Sequence, residues 1–163
     1  MADPAGAEPH YAIPRIPASA GALIFDRGGR LLILRPTYKR GWTVPGGQIE
    51  QTGESPWEGC RRETFEECSL QIERGRLACV DFLRPRPGRP GGVRFLFDCG
   101  VLGDEQLAAI AVDGAEIDEH RLAELADAAL LLSGPVRRRV KAAVGHKHCV
   151  YLENGRRVKG VRS

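Results

Sequence analysis

Ala20 to Phe25 and Arg30 to Leu34 are short runs that are apolar at odd and even positions alike, separated by Asp26-Arg27-Gly28-Gly29. Runs of this length bounded by a turn signal predict two hairpin-linked strands covered on both faces, hence a sheet sandwiched between other layers. Leu77 to Leu83 and Val93 to Cys99 predict two further strands, the second with its larger aromatics at alternate positions. The connection Arg84-Pro85-Arg86-Pro87-Gly88-Arg89-Pro90-Gly91-Gly92 cannot be helical. It reads as a solvated basic loop whose guanidinium groups suit phosphates.

Helical spacing enters at Ser55-Pro56-Trp57-Glu58, which fits a capping box with proline at the first helical position. Asp104 to Val112 fits helix or strand, and His120 to Leu132 reads as a helix. Ser133 caps a further helix through Arg137-Arg138-Arg139 to Val144, closed by Gly145, with the three arginines as an exposed face. Asn154-Gly155, inside the segment Cys149 to Val158, is a tight-hairpin signature, read as an added ribbon or an oligomer contact. The chain therefore divides into an Ala-, Pro- and Gly-rich arm at 1–17, a domain at 18–148 and a hairpin tail at 149–163.

Length and charge narrow the picture further. A chain of 163 residues suits one domain with a substantial core. A net charge of +3 fits anionic small molecules and falls short of a nucleic-acid footprint. Five cysteines at irregular spacings argue against a disulfide framework and for a reducing compartment. The first 17 residues lack a basic n-region and an apolar core, and no run approaches the roughly 20 apolar residues of a membrane span, so a cytoplasmic location is expected. His146-Lys147-His148-Cys149 lacks the separated ligand pairs of zinc sites.

The chemistry concentrates in Arg62-Glu63-Thr64-Phe65-Glu66-Glu67. At about 100° per residue, the helix is expected to carry Trp57, Cys60, Thr64 and Cys68 on one face and Glu63, Glu66 and Glu67 on the opposite one. Gly59, costly inside a helix, implies close approach of a loop or ligand. Clustered carboxylates on a rigid rod suit hard divalent cations. A solvated acidic face would have the same composition, since like charges four apart cost only about 0.2 to 0.5 kcal/mol.

The spacing of Gly47, Glu54, Arg62, Glu63, Glu66, Glu67 and Leu70 resembles the Nudix box, and Trp42-Thr43-Val44-Pro45-Gly46-Gly47 resembles the turn that leads into it. Three positions depart from the pattern: one extra residue between Gly47 and Glu54, Thr64 in place of an aliphatic residue, and Ser69 in place of the usual glycine. The resemblance implies an α/β (α+β) fold of the Nudix type, an α/β/α sandwich with a mixed sheet between helices. It implies a Mg²⁺ or Mn²⁺ cofactor held by Glu63, Glu66, Glu67 and the Gly47 carbonyl, with Arg62 orienting the carboxylates and Glu54 as an outer-shell group.

The reaction implied is attack of water on the pyrophosphate linkage of a nucleoside diphosphate joined to another moiety, of ADP-ribose or nucleotide-sugar type, or of a nucleoside triphosphate. Glu66, Glu67 and Glu116 are candidate bases, with His120 as a further one. Arg35, Arg84 and Arg94 are candidate phosphate contacts, and Pro85 or Pro87 sits in a region where some ADP-ribose pyrophosphatases carry a proline. The expected partner is a small nucleotide diphosphate, with a homodimer as the candidate assembly. The competing readings are a catalytically silent nucleotide-binding domain and, third, a prenyl diphosphate isomerase.

Overall fold

The computed structural model describes residues 14–51 and 53–162. The arm expected over 1–17 therefore lies outside the described residues up to position 13. Strands β1 (Ala18–Phe25), β2 (Leu31–Pro36), β3 (Gly46–Gln48), β4 (Arg76–Leu83), β5 (Gly92–Val101), β6 (Ile117–Ala123), β7 (Val150–Glu153) and β8 (Arg156–Arg157) form one mixed sheet among the described residues, in the order β6-β2-β1-β5-β4-β7-β8 with β3 on β1. Helices α1 (Pro56–Cys68), α2 (Asp104–Ala108), α3 (Leu125–Leu131) and α4 (Gly134–Ala143) complete the described elements.

The double-sided apolar runs sort into two layers. Ala20, Ala22, Ile24, Leu32 and Leu34 pack with Cys60 and Cys68 of α1, whereas Leu23, Leu31 and Ile33 pack with Ala128, Leu132, Val140 and Ala143 around α3 and α4. Alternate residues of the same strand thus feed opposite cores, as the two-fold period of a strand requires. The expected sandwich with a mixed sheet is the one observed.

One expectation is overturned. His120 to Leu132 is not a continuous helix: His120 to Ala123 belong to β6, which pairs antiparallel with β2, and α3 starts at Leu125. The edge of β2 carries unpaired amides and carbonyls, and pairing them with β6 outweighs the helical preference of the local sequence. The Asn154-Gly155 hairpin forms as expected, and β7 runs parallel to β4, so the ribbon extends the sheet. Asp104 to Val112 resolves into the short α2 followed by irregular chain.

Helix α1 begins as its sequence predicts. Ser55 Oγ accepts from the Glu58 N–H at 3.2 Å, and Glu58 Oε2 accepts from the Ser55 N–H at 2.8 Å. Thr64 is fully buried, and its hydroxyl donates to the Cys60 carbonyl at 2.7 Å, which satisfies the polar group inside the core. Trp57 lies 5.1 Å from Phe97 of β5, centroid to centroid. The helix ends on Ser69 in the left-handed region, at φ 60°, with its N–H donating to the Phe65 carbonyl.

That ending generates a stability prediction. A side chain in the left-handed region carries a steric penalty that glycine escapes, so Ser69→Gly should raise stability by about 0.5 to 1 kcal/mol after the extra flexibility of the unfolded chain is counted. Chemical denaturation read by circular dichroism checks this, and an unchanged or lowered midpoint would contradict it.

Candidate active site

Helix α1 and the turn before β3 form one wall of a cleft of about 600 Å³. The turn presses backbone against carboxylate. Gly46 has φ 144°, where a Cβ would collide with the Ala20 carbonyl, and a Cβ on Gly47 would run into the Glu63 carboxylate. The Gly46 N–H donates to Glu67 Oε2 at 2.7 Å. Two successive glycines are therefore what lets the loop sit directly on two side chains of the helix.

Arg62 ties the helix to the loop that enters it. Its Nε and Nη2 donate to Glu54 at 2.7 and 3.0 Å, its Nη1 to Glu63 at 3.0 Å and Glu66 at 2.9 Å, and its Nη2 to the Gln48 carbonyl at 2.9 Å. Despite the extra loop residue, Glu54 reaches the guanidinium in the two-pronged geometry that a rigid fork favours. Gly59 lies under the same carboxylate, with a Cβ position 3.1 Å from Glu54 Oε2. The close approach expected at this glycine comes from Glu54.

The helix surface differs from the expected one at two residues. Glu67 is not opposite the packed face: it is 7% exposed and sits beside the core positions. Seven residues after Cys60, it falls within about 20° of that buried cysteine around the helix axis. Glu63 is half-buried on the flank, and Glu66 points outward with its side chain 55% exposed.

Of the residues singled out from sequence, Gly47, Glu63, Glu67, Glu116 and Arg94 line the cleft. Glu116 reaches it from the loop before β6. Glu66 stays outside, on Arg62. Arg35 also stays outside and pairs with Asp118 at 2.7 Å and Glu119 at 2.9 Å, while Arg84 pairs with Glu153. His120 is exposed on β6 and does not line the cleft.

Tyr38 and Lys39 line the cleft without any sequence signal for it, and Arg139 lines it too. Arg139 departs from the exposed face expected of the arginine triplet, since its side chain is 11% exposed and pairs with buried Asp81 at 3.3 Å. Asp81, a lone acid in an otherwise apolar strand, was the available signal, because a buried charge requires a partner. Tyr38 and Lys39 lie in an irregular loop and carried none.

The NUDIX domain family model matches residues 15–144. The chain belongs to this family. Among solved structures, it is similar to a MutT protein from Methanosarcina mazei Go1, with 25% identity, 77% of this chain and 90% of that one covered, and a TM-score of 0.63. A MutT NUDIX hydrolase from Burkholderia pseudomallei is 20% identical over 80% of this chain and all of that one, at a TM-score of 0.66. The NUDIX domain of Shewanella oneidensis NrtR, solved with ADP ribose, is 16% identical over 82% of this chain and 92% of that one, also at 0.66. No curated protein matches the sequence.

Within this NUDIX cleft the carboxylates differ in character. The Arg62 guanidinium, followed by the Glu50 N–H, holds Glu54 down to about 2. Burial is the main cause that pushes Glu67 up to about 7, with Glu63 and Glu116 adding repulsion, while the Gly46 N–H and Lys39 oppose it. Glu63 is raised too, again chiefly by burial. Among the described residues no three acidic, histidine or cysteine side chains converge to hold an ion. Glu63 and Glu66 are turned to Arg62, whereas Glu67 and Glu116 have no ion pair among the described residues.

Glu67 sets a pH dependence of stability. Its proton is held more tightly in the folded protein, up to about 7, than at its ordinary 4.5, so folding is favoured most below the ordinary value and loses stability as pH rises from about 4.5 to about 7. The full effect is on the order of 3 kcal/mol, from 1.36 kcal/mol per unit. In chelator, the melting temperature of the native chain relative to Glu67→Gln should fall across that interval. Parallel curves would show that Glu67 is not protonated by burial.

Proposed function

We propose that this chain is a divalent-metal-dependent hydrolase of phosphoanhydride bonds, cleaving the pyrophosphate linkage of a nucleoside diphosphate joined to another moiety. The observation that carries the reading is Glu67, buried in the cleft wall beside Glu63 with no cation within ion-pairing distance among the described residues. A buried carboxylate held by a single backbone N–H, here that of Gly46, is expensive to ionise, and a hard cation is a ligand that offsets the cost. The donor set fits Mg²⁺ or Mn²⁺, which bind oxygen, use one or two protein carboxylates and complete their shell with waters and substrate phosphates. Glu63, Glu67 and the Gly47 carbonyl would hold the ion, and Glu66 would join them by releasing Arg62.

When bound, the metal neutralises phosphate oxygens and makes a water more acidic. The chain's own residues then have separate tasks. Arg62 and Glu54 keep the α1 carboxylates in register with the glycine turn. Glu116 faces the cleft with no hydrogen bond to its side chain among the described residues, and accepts the proton of the attacking water. The water oxygen joins one phosphorus as that phosphorus loses the bridging oxygen, which departs with the other phosphate. Tyr38, exposed at the cleft mouth, offers a ring face to a nucleobase.

The test is turnover of a panel containing ADP-ribose, nucleotide sugars, dinucleoside polyphosphates and nucleoside triphosphates, with Mg²⁺ or Mn²⁺ and with chelator. Turnover of at least one class should require the metal, and Glu67→Gln should lower it by about 10² or more. Mn²⁺ alone should raise the melting temperature of the native chain at neutral pH more than that of Glu67→Gln. Nucleotide binding without product across the whole panel would replace this reading with a silent binding domain.

A further inference from the structure

Charges of both signs line the cleft: Glu63 and Glu67 from α1 and Glu116 from the loop before β6, against Arg94 from β5, Arg139 from α4 and Lys39 from the loop after β2. Asp81 is fully buried and directly opposite Arg94 in the β4–β5 ladder. One of its oxygens faces Arg139 Nη1 at 3.3 Å, and the other accepts the Gly155 N–H of the C-terminal hairpin at 2.9 Å.

Asp81 is thus already committed to Arg139 and to the hairpin. Arg94 has no carboxylate within ion-pairing distance among the described residues, and its contacts are long ones to the carbonyls of Val93 at 3.3 Å and Gly91 at 3.5 Å. Burial lowers its pKa first, repulsion from Arg139 lowers it further, and Asp81 opposes both. With Asp81 committed to Arg139, the Arg94 guanidinium has no neutralising carboxylate among the described residues, which leaves a positive charge on a partly desolvated wall. Such a charge calls for an anion, and paired forks of parallel N–H donors match the oxygens of phosphate better than a neutral carbonyl.

We propose that Arg94 and Arg139 form a phosphate subsite, taking a phosphate group of the substrate other than those bound against Glu63 and Glu67. This rests on the reading of the cleft as a phosphoanhydride site, and it narrows the substrate to one carrying a further phosphate away from the point of cleavage. Asp81 acts as a positioning residue: it aims Arg139 and is itself held by the Gly155 N–H of the C-terminal hairpin.

The subsite can be read with the metal removed, because without a cation the α1 carboxylates repel anions while the arginine wall keeps its charge. Inorganic phosphate and acetate are titrated calorimetrically into the full chain in chelator at neutral pH. Phosphate should bind the native chain and the exposed-arginine control Arg137→Gln alike, and about tenfold or more weaker to Arg94→Gln. Arg139→Gln alone would strand buried Asp81, so the paired Asp81→Asn/Arg139→Gln variant, which removes both charges, should show the same loss. Acetate should bind far more weakly than phosphate. Equal phosphate affinity in all variants, no binding to the native chain, or acetate binding as tightly as phosphate would each overturn the proposal. Turnover plays no part in this readout, so an inactive enzyme with phosphate binding intact sinks the proposed function alone, and an active enzyme with no arginine-dependent binding sinks the subsite alone.

Discussion

The Arg62 guanidinium is the constraint on which the acidic side of this molecule depends. Four carboxylates and a backbone carbonyl lie around one fork, and the two-pronged contact to Glu54 crosses from the helix to the loop that precedes it. With its side chain 24% exposed, the cation is partly shielded from water, so its contacts count for more than surface ion pairs do. Without it, Glu54, Glu63 and Glu66 would repel one another, and α1 would lose its fixed position relative to the glycine turn. Glu67 is the one member of the acidic group that Arg62 does not touch, and in the proposed function it is the carboxylate a divalent cation would take.

Two packing decisions place that arrangement on a cleft. The face that α1 turns to the sheet carries the small buried residues Gly59, Cys60, Thr64 and Cys68, with Thr64 satisfied within the helix, and Gly46 and Gly47 meet the helix's carboxylates directly. On the other side, α4 turns Arg139 inward over Asp81. The cleft between α1, β5 and α4 therefore carries both carboxylates and guanidinium groups, a polarity suited to a ligand bearing both metal-bound and free phosphate. The C-terminal hairpin contributes through backbone alone, by the Gly155 N–H on Asp81.

Local sequence was enough for the strands β1, β2, β4 and β5, the capped start of α1, the Asn154-Gly155 hairpin and the charged string that Arg62 organises. Each of these is written in a short span: apolar alternation, a capping box, a dipeptide turn, or residues one helical turn apart. Tertiary contacts decided the rest. The chain at His120 became a strand because β2 needed a hydrogen-bonding partner, and Glu67 became buried because the glycine turn closed over the helix flank. Arg139 left solvent to pair with buried Asp81, 58 positions away. Tyr38 and Lys39 joined the cleft through a loop with no periodic pattern. Sequence by itself determined which residues could do phosphate chemistry, since side-chain type and helical spacing are local properties. Which of them share a water-poor cleft was settled only by folding, because burial and long-range charge pairing depend on what the rest of the chain brings alongside.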